Sequence, residues 1–188
     1  MTTSPTTLTL AALDSRLSVP TRQLAAPGPD HDTLLRILRS AVRVPDHGKR
    51  VPFRFLRIAG DDRKALADAT IARLLQRESR PAEGAIEKLR NRFTLPPLTI
   101  AVIARLGEDE KIPVSERQAT ASCVCLLLLQ AAQAEGFGAQ WLTGWPAYDR
   151  PLLERTLGLA PDEQLAGTIA MGTPQVEVPD RARPDPAS

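Results

Sequence analysis

Residues 98–106 read Leu98-Thr99-Ile100-Ala101-Val102-Ile103-Ala104-Arg105-Leu106, entered through Leu95-Pro96-Pro97. The run is rich in β-branched side chains and apolar nearly throughout, which fits a strand buried on both faces. A second decisive stretch follows the charged turn Gly107–Pro113. Val114 or Ser115 opens a helix that runs to about Glu135 and is closed by Gly136. Its apolar residues go almost all the way round: Ala119, Ala121, Cys123, Val124, Cys125, Leu126 to Leu129, Ala131, Ala132 and Ala134. A helix of that kind is buried centrally or between subunits.

Outward from these two, the chain alternates between helical and strand patterns. Before them, Thr6–Leu17 predicts a short helix stopped by Pro20, and Thr21–Pro29 a Pro/Gly-rich connector. Asp30 or Asp32 caps a helix through Leu34, Ile37, Leu38 and Ala41, and Pro45 ends it. In PFRFLRIAG, Phe53 and Phe55 face one way while Arg54, Leu56 and Ile58 face the other, as in a strand. Gly60-Asp61-Asp62 turns into a helix over Arg63–Gln76. The charged segment 77–92, which contains Pro81 and Gly84, reads as a loop with an exposed short helix. After the long helix come a strand in GAQWLTGW, a short helix over Arg150–Leu157 and a strand in LAGTIAMG. Helices first, then strands separated by helices, give a mixed sheet packed with helices, α+β in class; a doubly wound fold is the alternative. Residues 1–175 form one domain, and 176–188, with three prolines and no periodicity, an extended or disordered tail.

The composition excludes several functions. With 188 residues there is enough chain for one sizeable core, and a net charge of +2 spread along it argues against nucleic acid. The longest uncharged run, Gln118–Ala134, is short of the roughly 20 apolar residues a membrane span needs. No basic leader precedes the first apolar residues, so a cytoplasmic location is expected. Cys123 and Cys125 sit two apart in a helical stretch, diverge around its axis, and read as small core residues in a reducing compartment. His31 and His47 are the only histidines, so no metal site is expected.

The chemistry-bearing stretches are few. Ser15-Arg16-Leu17-Ser18 places hydroxyls and a guanidinium at a helix end, donors suited to a phosphate. Ala41–Pro52, AVRVPDHGKRVP, crowds His47 with Arg43, Lys49 and Arg50; alone it reads as a solvated basic turn. Asp46 beside His47 makes a poor catalytic dyad, because adjacent side chains seldom point at each other. The G-x-G of GFGAQ follows a helix and precedes a strand, the reverse of the dinucleotide-binding order. No catalytic constellation emerges.

Taken in order and spacing, five motifs carry a resemblance: Arg16-Leu17-Ser18, AVRVPDHGKRVPFRFLRI, Lys111-Ile112-Pro113, AAQAEGFGAQWLTG and MGTPQ. From about Leu10 to Gln175 the chain resembles the nitroreductase superfamily of flavin enzymes, within it the compact bacterial NAD(P)H nitroreductases. The resemblance implies a largely antiparallel sheet of four to five strands flanked by helices around a long central helix. It implies a homodimer with FMN at the subunit interface. Hydride would pass from NADH or NADPH through the flavin to nitroaromatics, quinones or similar acceptors. Arg16, Leu17 and Ser18 then match flavin and phosphate contacts, Leu17 standing where a second arginine is common. Arg43 and His47 match contacts from the opposing subunit. Trp141, Leu142 and Thr143 match a strand end along the flavin ring. Ala131, Ala132, Gln133, Ala134, Glu135 and Gly136 match a helix end assigned to the nicotinamide cofactor. No catalytic side chain is implied, since the flavin carries the chemistry. The alternatives are a non-catalytic flavin-binding protein, or a flavin-free interaction protein, on the same fold.

Overall fold

The computed structural model describes residues 10–187. The apolar run after Pro97 forms β3 (Leu98–Arg105), buried at every position except Arg105. It pairs antiparallel with β2 (Phe53–Ala59) on one side and with β5 (Glu163–Pro174) on the other. On the edge away from β3, β5 takes β4 (Gly138–Leu142), and near its C-terminal end it pairs with the two-residue β1 (Leu24–Ala25), both antiparallel. The sheet therefore has five strands, and every pairing among the described residues is antiparallel. β1 lies inside the stretch expected as a connector; two residues carry too little alternation to announce a strand.

Alternate residues of β3 feed opposite layers. Ile100, Val102 and Ala104 pack with Leu34 and Ile37 of α2 (His31–Ala41) and with Val124 and Leu128 of α5 (Val114–Ala134). Ala101 and Ile103 pack on the other side with Leu66 and Ala67 of α3 (Asp61–Arg77), Phe93 of α4 (Ala85–Thr94) and Leu153 and Leu157 of α6 (Arg150–Leu157). Ile100, Val102 and Ile103 are almost wholly buried, and each such side chain contributes about 1.5–3 kcal/mol of transfer free energy. α2 starts where its cap was expected: the Asp30 carboxylate accepts from the Thr33 N–H at 2.8 Å. No helix among the described residues is long and apolar enough to cross a membrane.

Three expectations change. The helix expected over Thr6–Leu17 begins outside the described residues, and its described part is α1 (Leu10–Asp14), with Leu10 and Leu13 left exposed. Segment 77–92 is not a solvated face throughout: Leu89 of α4 is buried against Ile71 and Leu74 of α3, and the Arg92 Nε is buried as well. Cys125 is a core residue whose thiol burial pushes up to about 12, whereas Cys123 is exposed. Cys123 sits on the outward face of α5 with Ala119 and Leu126, which is 42% exposed, so the helix that is apolar all round is covered on only part of its circumference.

One ion pair ties β2 to β5 across β3. Arg54 of β2 donates twice to Glu163 of β5, at 2.6 and 2.7 Å. These bonds, against the opposing effect of burial, hold the Glu163 carboxyl at about 2. A depressed carboxylate stabilises the fold above its unfolded value and loses that contribution as it protonates. The contribution should therefore fade as pH drops from about 4.5 toward about 2. Glu163→Gln should cost on the order of 2 kcal/mol at neutral pH and flatten that acid-dependent stretch of the stability curve, measured by urea melts from pH 6 to 2.5.

Candidate functional site

The residues singled out in the sequence gather at the two ends of α5. At its C-terminal end, the Gln133 side chain accepts the Leu17 N–H at 3.0 Å and donates to the Ser15 carbonyl at 2.8 Å and the Ser15 hydroxyl at 3.0 Å. Beyond this clamp the Val19 N–H donates to the Ala139 carbonyl of β4 at 2.9 Å, so segment 15–19 is strung between the helix end and the sheet edge. Arg16 donates to the Ser18 hydroxyl at 3.3 Å, which holds the two predicted phosphate donors together. Arg16 also lines a groove of about 440 Å³ with Leu13, Leu127, Ala131 and Ala134.

The basic loop lies at the other end of α5. His47 Nδ1 sits 2.7 Å from Glu116, and the Pro45 carbonyl accepts from the Thr120 hydroxyl at 3.2 Å. The loop is built, not merely solvated. Lys49 and Val51 hold positive φ of 52° and 48°, a costly backbone for a β-branched side chain, and Asp46 accepts the N–H groups of Arg50 and Val51. Arg50, expected as a free charge, pairs with Asp109 at 2.7 Å. Arg43 is exposed. At roughly 1.5 Å per residue, Glu116 and Gln133 are about 25 Å apart along the helix. Within one chain, then, His47 does not meet Arg16 and Ser18.

β4 divides its residues between two cavities. Gln140 and Leu142 line a cleft of about 600 Å³ with Thr21, Arg22, Lys88, Asn91, Arg92 and Trp145. Trp141 and Thr143 line a separate cavity of about 630 Å³ with Gln118 and Tyr148. Trp141 is fixed: its indole N–H donates to the Ala166 carbonyl at 3.2 Å, and its ring lies so close over Gly167 that a Cβ there would stand 1.9 Å from Nε1. This seat suits a packed ring edge and leaves little freedom for a stacking lid.

The cleft holds the residues that sequence reasoning missed. Arg92 makes no hydrogen bond or ion pair among the described residues, its Nε is buried without a partner, and burial lowers its pKa to about 10. Such a guanidinium is a donor awaiting an acceptor. Its charged neighbours in sequence disguised it, although the buried stripe Leu89–Phe93 marks the side of α4 that turns inward. The Gln140 side chain accepts the Thr21 N–H at 2.9 Å and so fixes the turn that follows Ser18 along the cleft. Behind Trp145, Arg77 lies 4.9 Å over the indole ring and donates to Asp149 at 2.7 Å, with Arg73 at 2.9 Å. Of the helix end expected to meet a nicotinamide, Ala132 is buried, Gln133 clamps segment 15–17, and Glu135 pairs with Arg36 at 2.8 Å. Ala131 and Ala134 line the groove beside Arg16, and Gly136 closes the helix at φ 83°.

This antiparallel sheet between two helical layers is shared with solved nitroreductase-fold proteins. The chain superposes on a nitroreductase-like family protein of Bacillus cereus with a TM-score of 0.79 at 24% identity, over 97% of this chain and 95% of that one. It also superposes on a nitroreductase-class protein of Desulfovibrio desulfuricans solved in complex with FMN, with a TM-score of 0.69 at 23% identity over 93% and 91% of the two chains. In sequence it is 32% identical over 165 residues to YdjA of Escherichia coli strain K12, classed by name with the NAD(P)H nitroreductases, covering 87% of this chain and 88% of that one. Residues 13–173 match the Nitroreductase family, and the chain belongs to this family of oxidoreductases.

Asp149 carries the cleft wall. Burial pushes its carboxyl up, but the bonds from Arg73 and Arg77 outweigh this and hold it below the usual carboxylate range. Asp149→Ala removes both arginine bonds and the cap on the Leu152 N–H of α6. It should cost about 3 kcal/mol of stability, read by urea melts, and red-shift the tryptophan emission as Trp145 loses its cover.

Proposed function

We propose that the protein is an FMN-dependent NAD(P)H oxidoreductase that acts on nitroaromatics, quinones or similar electron-poor acceptors. The observation that carries this reading is the Arg92 guanidinium, without a hydrogen-bond or ion-pair partner among the described residues, in a cleft whose lining includes Pro20 and Thr21, just after Ser18 in the chain. The residues present fit FMN. Arg16 and Ser18 supply donors for a phosphate, and the Leu17 N–H is already spent on Gln133, so that position adds no further donor. Arg92 offers charge and N–H groups to the carbonyl edge of a flavin ring, with Leu142 as apolar floor. When bound, FMN supplies the two-electron chemistry, receiving reducing equivalents from NADH or NADPH and passing them to the acceptor in a second half-reaction. The chain's own part is to hold the ring, exclude water and supply charge, and no acid–base pair is needed.

The distance between the two residue sets supports a homodimer. Arg43 and His47 can serve the same flavin as Arg16 and Ser18 only if they come from a second copy running the opposite way along α5. The exposed stripe of Ala119, Cys123 and Leu126 supports such an isologous contact. In this reading the protein works in the cytoplasm, where both thiols stay reduced.

The purified protein should be yellow, bleach anaerobically with NADH or NADPH, and regain colour with a quinone or nitro compound. Colour that never bleaches would leave a flavin-binding protein without this activity; protein colourless after excess FMN would end the flavin reading. Arg16→Ala and Arg43→Ala should each weaken FMN binding by about 1.5–3 kcal/mol, and heterodimers mixed from the two variants should recover one intact site per dimer. Unchanged FMN affinity in both would overturn the assignment. Leu126→Glu places a charge on the stripe; by light scattering it should give monomers that have lost FMN, and a flavin-loaded dimer would exclude this interface.

A further inference from the structure

The cleft holds more positive charge than a flavin ring requires. Its charged lining residues are Arg22, Lys88 and Arg92 against the single carboxylate Glu78. None of the three cations makes an ion pair or a side-chain hydrogen bond among the described residues, while most other arginines near the sheet are engaged, as Arg54, Arg73, Arg77 and Arg150 are. They also come from two elements held against each other: Arg22 from the 3₁₀ turn Thr21–Gln23, Lys88 and Arg92 from α4. Arg92 lies at the floor with its buried Nε, whereas Arg22 and Lys88 are exposed at the mouth.

We propose that Arg22 and Lys88 form a subsite for a phosphomonoester dianion at the mouth of the cleft, distinct from the Arg16–Ser18 pair. The proposal rests on the flavin reading given above. Two dianions of this chemistry belong to the reaction: the 2′-phosphate that distinguishes NADPH from NADH, and the 5′-phosphate of FMN. With Arg16 and Ser18 assigned to FMN, the mouth falls to the 2′-phosphate, and the enzyme should prefer NADPH. A guanidinium and an ammonium at a rim suit such a dianion. The fork can take two oxygens, the ammonium adds a mobile point charge, and neither has to be drawn from an existing partner.

The test uses the FMN-loaded full-length protein with Arg22→Ala, Lys88→Gln and the double variant, and Lys64→Ala as an exposed control outside the cleft. Calorimetry compares 2′,5′-ADP with 5′-AMP, which differ by the 2′-phosphate, and FMN affinity is measured in parallel by fluorescence. The wild type should bind 2′,5′-ADP on the order of tenfold more tightly than 5′-AMP. The double variant should lose that margin, and the kcat/KM ratio of NADPH to NADH should fall with it, while FMN affinity stays unchanged. If instead FMN affinity falls and the nucleotide margin holds, the subsite stands but its dianion is the FMN phosphate. If neither changes, the subsite is excluded, even where the protein remains yellow and is bleached by nicotinamide.

Discussion

The structure depends on one strand being dry on both sides. β3 has no polar face, so it is stable only while α2 and α5 close one side and α3, α4 and α6 the other. That constraint orders everything functional. β5 must lie beside β3, β4 must lie beside β5, and the edge beyond β4 is where the sheet runs out and segment 15–22 takes over. The cleft is thus not a depression in the surface. It is the place where the alternation of β4 leaves Gln140 and Leu142 without a helical layer packed directly on them.

α5 has a second duty as a spacer. It presents the Gln133 clamp at one end and the His47–Glu116 contact at the other, with an apolar stripe between. Two residue sets at opposite ends of a rigid rod cannot converge by bending a loop. In the dimer proposed above, an antiparallel pairing of two such rods would bring unlike ends together and make two equivalent sites at once.

Much of this was legible in the chain. The nearly unbroken apolar run of 98–104 named a strand buried on both faces, and the all-round apolar pattern of 119–134 named a helix buried centrally or between subunits. The Asp30 cap was read because a side-chain cap depends only on local chemistry. What escaped depended on tertiary placement. Arg92 stands among Lys88, Arg90 and Asn91, and composition cannot tell a guanidinium turned inward from one in water. Arg50 looked equally free, and its partner Asp109 is far along the chain. The short β1 and the exposure of Cys123 escaped for the same reason: two residues show no period, and an apolar residue on a helix does not say whether its cover comes from its own chain.

The contact between Trp141 and Gly167 has a consequence for how this sequence can drift. The indole occupies the volume that any side chain at 167 would need, and Gly167 faces it from the neighbouring strand. Neither position is free alone: a side chain at 167 evicts the ring, and a small residue at 141 leaves a void over β5. The two should therefore change as a pair. A relative with a small residue at 141 is released from glycine at 167, and could fill the same space from the other strand without moving the backbone on which Gln140 and Leu142 depend.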